Sequence, residues 1–152
     1  MKKFIGVISD THGLLRPEVR NVFAGVDLIL HAGDIGKAEV IEQLEAMAPV
    51  IAIRGNNDTE AWARMIPETE VAEIGPVRIF ILHNLKEIGF NPADRQFQAV
   101  ISGHSHRPGI ETRDGVLFLN PGSAGPRRFK LPSTVARLTV EGAAVRGEII
   151  KL

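Results

Sequence analysis

Apolar runs alternate with helical stretches through the first part of the chain. Residues 4–9, 27–31 and 50–53 form short, almost continuously apolar runs, which are typical of buried strands. Between them, residues 17–24 begin with a proline at a first-turn position, and residues 37–47 carry apolar side chains at helical spacing. This strand–helix–strand–helix–strand order predicts parallel strands joined by right-handed crossovers.

The later part of the chain has a different pattern, in which strands are paired around turn dipeptides. Short helices are predicted at 61–66 and 92–97, and a short buried strand at 99–102. Three hairpins are predicted, namely 70–74 with 77–82, 110–112 with 116–119, and 133–140 with 144–150. A parallel half followed by antiparallel pairs is compatible with an α/β fold of two packed sheets covered by helices.

Five short segments carry side chains that can bind a metal ion, and each follows an apolar run. They are Asp10-Thr11-His12, Gly33-Asp34, Gly55-Asn56-Asn57-Asp58, His83 and Gly103-His104-Ser105-His106. Because the carboxyl ends of parallel strands share one edge of a sheet, we expect these side chains to converge. Carboxylate, amide and imidazole donors together suit Mn, Fe, Zn or Ni, and poorly suit an all-oxygen calcium site.

Taken singly, most of these segments also have an ordinary structural explanation. Asp10-Thr11-His12 can be a helix N-cap or a turn, and Gly55-Asn56-Asn57-Asp58 has the composition of a turn. Gly33-Asp34 can be a plain loop, and a lone histidine such as His83 is more often a partly buried structural residue. The occurrence of five such segments in one small domain favours the metal site over these explanations.

Length and composition are those of one globular domain with a real core. The chain has 152 residues, of which 44% are hydrophobic. Its 18 basic and 18 acidic residues balance, which argues against long-range attraction to nucleic acid or an anionic membrane. The absence of cysteine excludes thiolate ligands and disulfides. The N-terminal apolar run is too short for a signal peptide, and none approaches the ~20 residues of a membrane span, so a cytoplasmic location is expected.

The order of the five segments resembles that of the calcineurin-like metallophosphoesterases, in particular their small bacterial and archaeal phosphodiesterase branch. The family's blocks D-x-H, GD, GN, a lone His and GHxH all occur here in that order between Asp10 and His106. A sixth block, Asn120-Pro121-Gly122-Ser123, matches the small branch. The resemblance spans nearly the whole chain. It implies one domain over residues 1–152, built as a four-layer αββα sandwich of two mixed β-sheets flanked by helices.

The resemblance also implies a dinuclear metal site. One ion would be bound by Asp10, His12, Asp34 and His106, and the other by Asp34, Asn56, His83 and His104. Asp34 would bridge the two divalent ions, which we expect to be manganese, with iron, zinc and nickel as alternatives. His31 lies outside the family's blocks and is interpreted as a packing or supporting residue.

The implied activity is hydrolysis of phosphodiester bonds in a small soluble substrate, by water that the metal ions activate. Asn56, Asp58 and His104 are the predicted catalytic residues, with Asp58 orienting His12 or a water molecule. Two alternatives are a protein-binding scaffold of the same fold and a nuclease. The complete ligand set argues against the scaffold, and the balanced charge argues against the nuclease. The sequence leaves open the natural substrate and whether the protein is a homo-oligomer.

Three positions depart from the broad family pattern. Lys37 stands where many relatives have a second Asp, Asn57 where many have a histidine proposed to protonate the leaving group, and Asn84 where a glycine is usual. An amide cannot act as a general acid, so the source of the leaving-group proton is open.

Three arginines are the nearest basic candidates for binding a substrate phosphate, namely Arg54, Arg127 and Arg128. The last two lie in a segment, residues 122–132, that mixes Gly, Pro and Arg as a rim loop does. Plain surface charge is at least as good an explanation for them.

Overall fold

The computed structural model describes residues 1–127 and 130–152, and these form ten strands and two α-helices. In chain order the strands are β1 (Lys2–Ile8), β2 (Leu28–His31), β3 (Val50–Ala52), β4 (Thr69–Ile74), β5 (Val77–Leu82), β6 (Ala99–Ile101), β7 (Gly109–Arg113), β8 (Val116–Asn120), β9 (Thr134–Glu141) and β10 (Ala144–Lys151). The α-helices are α1 (Glu18–Val22) and α2 (Ala38–Glu45), and 3₁₀ helices occupy Ala61–Met65, Leu85–Glu87 and Pro92–Arg95.

The strands form two mixed sheets of five strands each. In the first sheet, with the order β10-β9-β1-β2-β3, strands β1, β2 and β3 are parallel and the β9–β10 hairpin lies antiparallel beside β1. In the second, with the order β4-β5-β6-β8-β7, strands β5, β6 and β8 are parallel, and β4 and β7 are antiparallel edges. The predicted parallel first half and the three predicted hairpins are therefore confirmed.

Strand alternation divides the apolar residues of the first sheet between two cores. Ile5 and Val7 of β1 and Leu30 of β2 face the second sheet and belong to the core between the sheets. Ile8 and Ile29 face the other way and pack with the α-helices. Because successive side chains point to opposite faces, a strand that is buried on both faces must be apolar at nearly every position.

The two outer layers differ greatly in thickness. On the first sheet, α1 and α2 bury one face of each helix, through residues such as Val19 and Leu44. On the second sheet, the outer cover is provided by the short 3₁₀ helices Leu85–Glu87 and Pro92–Arg95, which pack near Leu82 and Val100. All five residues of β7 are exposed. The predicted sandwich is thus confirmed, with a thin fourth layer that leaves the edge strand β7 open.

The contact between β1 and α1 offers a direct test of this packing. A Cβ atom added at Gly6, in the middle of β1, would lie 2.9 Å from three ring carbons of the buried Phe23. We expect Gly6→Ala to destabilise the protein by ~1–3 kcal/mol, because the ring has to shift within a close-packed core. Gly89→Ala is the matched control, since nothing lies within 4 Å of its added Cβ. Urea denaturation measures both, and equal stability of the two variants would contradict this account of the packing.

Candidate metal centre

The loops that follow β1 and β2 run side by side and continue the parallel pairing of these strands. The backbone N–H groups of Asp10, His12 and Gly13 donate to the carbonyls of Gly33, Asp34 and Ile35, at 2.9, 2.9 and 2.8 Å. Residues that are far apart in sequence are thereby fixed in register. Asp10, His12 and Asp34 consequently lie at the same edge of the first sheet.

The remaining candidate ligands come from the ends of three other strands. Asn56 follows β3, His83 follows β5, and His104 and His106 follow β6. The Gly103 N–H donates to the His83 carbonyl at 2.9 Å, which couples the two loops of the second sheet. The structure therefore brings together all seven predicted ligand residues, from both sheets.

One group of ligand atoms is formed by Asp10, His12 and His106. The Nε2 atoms of His12 and His106 are 3.4 Å apart. The Oδ1 atom of Asp10 lies 3.3 Å from His106 Nε2 and 3.7 Å from His12 Nε2. One carboxylate oxygen thus faces two imidazole nitrogens, at spacings that suit ligands of a common ion.

A second group contains Asp10, Asp34 and His83. Asp34 Oδ2 lies 3.2 Å from His83 Nε2 and 3.9 Å from His12 Nε2, so it stands between the two groups. Asp10 Oδ1 is 3.9 Å from His83 Nε2 and also belongs to both groups, whereas the sequence-based assignment gives Asp10 to one ion. Asn56 Oδ1 lies 3.2 Å from His104 Nδ1.

Two buried atoms in this cluster have the character of ligands for a cation. Within residues 1–127 and 130–152, Asp10 Oδ1 and His83 Nε2 are buried and have no hydrogen-bond partner. His83 Nδ1 is 2.7 Å from the Ala32 carbonyl, to which it donates, so its Nε2 is turned toward the carboxylates. Buried polar atoms rarely go unsatisfied, and this donor set fits divalent transition-metal ions.

The backbone of most of these residues is held in a conformation that L-amino acids avoid. Five of them have a positive φ, namely Asp10 (55°), His12 (47°), Asp34 (54°), His104 (70°) and His106 (63°). Left-handed backbone at a non-glycine residue costs ~1–3 kcal/mol and persists where the surrounding structure imposes it. Its concentration at these five residues is the behaviour of a functional site.

Both carboxylates at the centre of the cluster are held ionised. Burial alone would raise the pKa of Asp34, but the nearby His83 imidazole and the hydrogen bond from the Asn57 backbone bring the pKa down to about 2. For Asp10, burial is likewise outweighed, chiefly by His12 and Ser9, and its pKa is lowered. Burial lowers the pKa of His83, yet Asp34 and the Ala32 carbonyl raise it in net terms. The site therefore carries concentrated negative charge that attracts cations.

Two glycines of the ligand segments are needed because other ligand residues occupy the space of a side chain. A Cβ on Gly55 would overlap Asp34, and a Cβ on Gly103 would overlap the Ser9 hydroxyl and lie 2.6 Å from Asp10 Oδ2. The glycines before Asn56 and His104 thus allow loops of different strands to approach the carboxylates.

Asp58 connects the loops that carry Asp34 and Asn56. Its Oδ2 accepts the N–H groups of Gly55 and Ile35 at 2.9 and 3.0 Å, and its Oδ1 accepts the N–H of Gly36 at 3.0 Å. The predicted catalytic role of Asp58, in which it orients His12 or a water molecule, gains no support from these contacts. They make Asp58 a positioning residue for these loops, and a catalytic role stays a prediction.

Sequence reasoning missed the positioning roles of Ser9 and of Asn120, the second of which was noted only as part of the sixth block. The Ser9 hydroxyl donates to Asp10 Oδ2 at 2.7 Å. Asn120 Nδ2 donates to the Gly103 carbonyl at 3.0 Å and to Ser105 Oγ at 3.1 Å, which gives the sixth block a role in holding the histidine loop. Ser9 could have been identified from the sequence, because it is a polar residue that ends an apolar run directly before Asp10.

His31 supports the loops that carry Asp10 and Asp34, and it takes a single tautomer. Its Nδ1 accepts the Gly33 N–H at 3.1 Å. Its Nε2 lies 3.0 Å from Thr11 Oγ1, which itself donates to the Ile35 carbonyl at 2.8 Å. The proton therefore sits on Nε2, and His31 links the residues next to Asp10 and Asp34. This agrees with its interpretation as a supporting residue.

Two of the three predicted phosphate-binding arginines, Arg54 and Arg127, have other surroundings in the described structure. Arg54 donates to the Ile66 carbonyl at 2.9 Å and pairs with Glu68 at 3.1 Å, so its guanidinium is used within the protein. Arg127 lines a separate small pocket together with Arg16 and Lys151. Arg128 lies outside the described residues. A substrate-binding role for these arginines stays a prediction.

Two mixed sheets that meet at a cluster of carboxylates, imidazoles and one amide have the architecture of a metallophosphoesterase. The family model for the calcineurin-like phosphoesterase superfamily domain matches residues 3–143. The chain therefore belongs to the calcineurin-like phosphoesterase superfamily, as its resemblance implied.

Individual relatives agree with this assignment. The chain is 34% identical to a probable metallophosphoesterase of Methanothermobacter thermautotrophicus, over 97% of this chain and 91% of the relative. It is 33% identical to a phosphodiesterase of Methanocaldococcus jannaschii, over 78% of this chain and 82% of that protein. Vacuolar protein sorting 29 of Cryptosporidium parvum has a TM-score of 0.79 at 18% identity over 99% of each chain, a likeness of fold alone. Among the helices of the described residues, none could cross a membrane.

The buried His31 predicts a specific loss of stability in acid. Burial lowers the pKa of His31 from 6.5 to about 4. Between these values the unfolded chain binds a proton that the folded protein does not. The free energy of unfolding should therefore fall as the pH is lowered from about 6.5 to about 4, by up to about 1.4 kcal/mol per pH unit.

The matched variant is His31→Asn, which keeps an acceptor near the Gly33 N–H and removes the titrating group. Denaturant unfolding of chelator-treated protein at several pH values should give a much flatter profile for this variant. The stability that Asp34 contributes through its lowered pKa is lost only in stronger acid. The raised pKa of His83 makes stability depend on pH only above pH 6.5. Equal slopes for the two proteins would refute this account of His31.

Proposed function

We propose that the chain is a dinuclear metal-dependent phosphodiesterase that hydrolyses a small soluble substrate. The observation that carries the proposal is the pair of adjacent ligand groups with Asp34 Oδ2 between them, 3.2 Å from His83 Nε2 and 3.9 Å from His12 Nε2, where one carboxylate can serve two ions. Manganese is the ion we favour, with iron, zinc and nickel as alternatives.

In this proposal Asp10, His12, Asp34 and His106 hold one ion, and Asp34, Asn56, His83 and His104 hold the other. Two divalent ions bound in this way supply Lewis acidity for a phosphoryl oxygen and lower the pKa of water. The neutral amide of Asn56 leaves the site more positive than a carboxylate would, which favours a phosphate anion. Asp58, Ser9 and Asn120 fix the loops, so that the ligands are preorganised.

Asn57 is already engaged with Asp34 and is poorly suited to act on a leaving group. Its backbone N–H donates to Asp34 Oδ1 at 2.9 Å, and its side-chain amide donates to Asp34 Oδ2 at 3.0 Å. These bonds keep Asp34 ionised and oriented. The residue that replaces the family's histidine therefore supports a ligand and cannot supply a proton.

A protein-binding scaffold is the second candidate function, because the Cryptosporidium parvum sorting protein shares this fold. The presence of every predicted ligand in one cluster supports the enzyme instead. A nuclease is less well supported, since the chain has no excess of basic residues.

The proposal is tested by loading metal-stripped protein with Mn, Fe, Zn or Ni and measuring both metal content and hydrolysis. We expect two ions per chain and faster cleavage of bis(p-nitrophenyl) phosphate than of p-nitrophenyl phosphate. Full activity with one ion or fewer would exclude a dinuclear site. Tight binding of two ions without hydrolysis of either ester would favour the scaffold.

Asp34→Asn and Asp58→Asn form a matched pair of variants for the same assay. Asp34→Asn should lower both metal content and activity, because the amide removes a charge that both ions need. Asp58→Asn should retain its metals, lose ~10–100-fold in activity, and lose ~1–3 kcal/mol of stability, because an NH₂ group would face a backbone N–H donor. Equal activity losses with full metal content in both variants would remove the support for Asp34 as the bridge.

Asn57 predicts a steep dependence of rate on the leaving group. A positioned general acid contributes ~10²–10⁴-fold, and without one, alkoxide leaving groups should depart slowly while aryl groups of low pKa are little affected. Rates for a series of aryl and alkyl phosphodiesters, plotted against leaving-group pKa, should therefore fall steeply. Asn57→His should improve only the poor leaving groups. A shallow plot for the unmodified protein would show that another group donates the proton.

A further inference from the structure

A groove of about 840 Å³ begins at the metal centre and runs over the outer face of the second sheet. Ser102, Gly103 and His104 line one end of it. The short 3₁₀ helices Leu85–Glu87 and Pro92–Arg95 contribute to one wall, and the β7–β8 hairpin forms the other. The groove exists because the thin outer layer of this sheet covers β5 and β6 and leaves the face of β7 and β8 open.

The size of the groove exceeds what one phosphate group needs. Sites of ~300–1,000 Å³ hold organic ligands of drug size. A phosphodiester carries two organic substituents, and a phosphate bound beside His104 would lie at the mouth of this groove. The groove is therefore well placed and large enough to receive one of them.

The lysine, arginine, glutamate and aspartate side chains that line the groove cancel in formal charge. Lys86 and Arg113 are basic, and Glu111 and Asp114 are acidic. Arg113 Nε lies 3.7 Å from Glu111 Oε1, so one of the cations is paired with one of the anions. Binding of a nucleic acid strand depends on an excess of cations that neutralise phosphates, and this groove has no such excess among its described lining residues.

The rest of the groove combines an apolar floor with polar groups. Val116 and Phe118 lie in β8 on the floor, and the Arg113 guanidinium is 4.2 Å from the centre of the Phe118 ring, which gives a flat, stacked surface. Asn84 and Asn91 use their side-chain oxygens to cap the adjacent turns at Lys86 and Ala93. Their amide NH₂ groups are the parts that a ligand can use as hydrogen-bond donors.

We propose that this groove binds an uncharged organic substituent of the phosphodiester, about the size of a nucleoside, and selects against substituents that carry further phosphates. The inference rests on the proposed function, since it assumes that the phosphate binds at the metal centre. Because the basic and acidic groups of the groove cancel, the groove offers an additional phosphate no net attraction to offset the loss of its hydration, whereas the apolar floor with its amide donors binds a neutral, ring-containing group.

Three esters that share the p-nitrophenol leaving group test the proposal on metal-loaded protein. They are methyl p-nitrophenyl phosphate, thymidine 5′-(p-nitrophenyl phosphate), and the same thymidine ester with a 3′-phosphate. We expect the uncharged thymidine ester to exceed the methyl ester at least about tenfold in kcat/KM, mainly through KM, as groove binding requires. The 3′-phosphate should remove most of this advantage.

Glu111→Lys and Glu148→Lys are the matched variants. Both residues are exposed glutamates on edge strands, but only Glu111 lines the groove. Glu111→Lys should raise kcat/KM for the 3′-phosphorylated ester about three- to tenfold relative to kcat/KM for the uncharged thymidine ester, because it gives the groove an excess of positive charge. Glu148→Lys should change neither.

The outcomes separate this inference from the proposed function. If the methyl and thymidine esters are hydrolysed with equal kcat/KM, or if the two lysine variants respond alike, the groove does not select the substituent and the inference is wrong while the phosphodiesterase stands. If none of the three esters is hydrolysed by protein that holds its metal ions, both the proposed function and the inference are overturned.

Discussion

The burial of two ionised carboxylates, Asp10 and Asp34, at the edge between the sheets is the constraint on which the site depends. Each buried anion carries a desolvation penalty of several kcal/mol unless charges and hydrogen bonds compensate for it. Here Ser9, Asn57, the His104 backbone and nearby imidazoles provide that compensation. The requirement also explains the left-handed backbone and the glycines of the ligand loops, because these loops must approach the carboxylates to within contact distance.

Much of the fold could be predicted from the sequence, because strands buried on both faces are almost wholly apolar and turn dipeptides mark the hairpins. The ligand residues could be identified by their order, which resembles a family, whereas periodicity alone left turns and caps as alternatives. Contacts between loops from distant parts of the chain could not be predicted. Asp58 shows this most clearly, since its partner Gly36 lies 22 positions earlier. The hydrogen-bond partners of Arg54 within the protein could not be predicted either, because they depend on how the segment after β3 folds back.

The second sheet shows how the thickness of the layer that covers a sheet affects what the fold can bind. The sequence pattern predicts a short helix at 92–97 but misses the one at Leu85–Glu87, and it does not reveal that the two cover only part of the sheet. Their brevity opens the groove beside His104. The same architecture in a vacuolar sorting protein shows that the sandwich itself does not define a function. Function depends on which side chains occupy the edge and the exposed face.

The candidate ligands belong to both sheets, with Asp10, His12, Asp34 and Asn56 on the first and His83, His104 and His106 on the second. Ions bound among them, as we propose, would link two layers that otherwise adhere through apolar contact. They would also hold together residues 10 and 106, which lie far apart along the chain. A ligand that binds only the folded state stabilises it in proportion to RT ln(1 + [L]/Kd). The lifetime of this protein in a cell that degrades unfolded chains would consequently follow the supply of its metal.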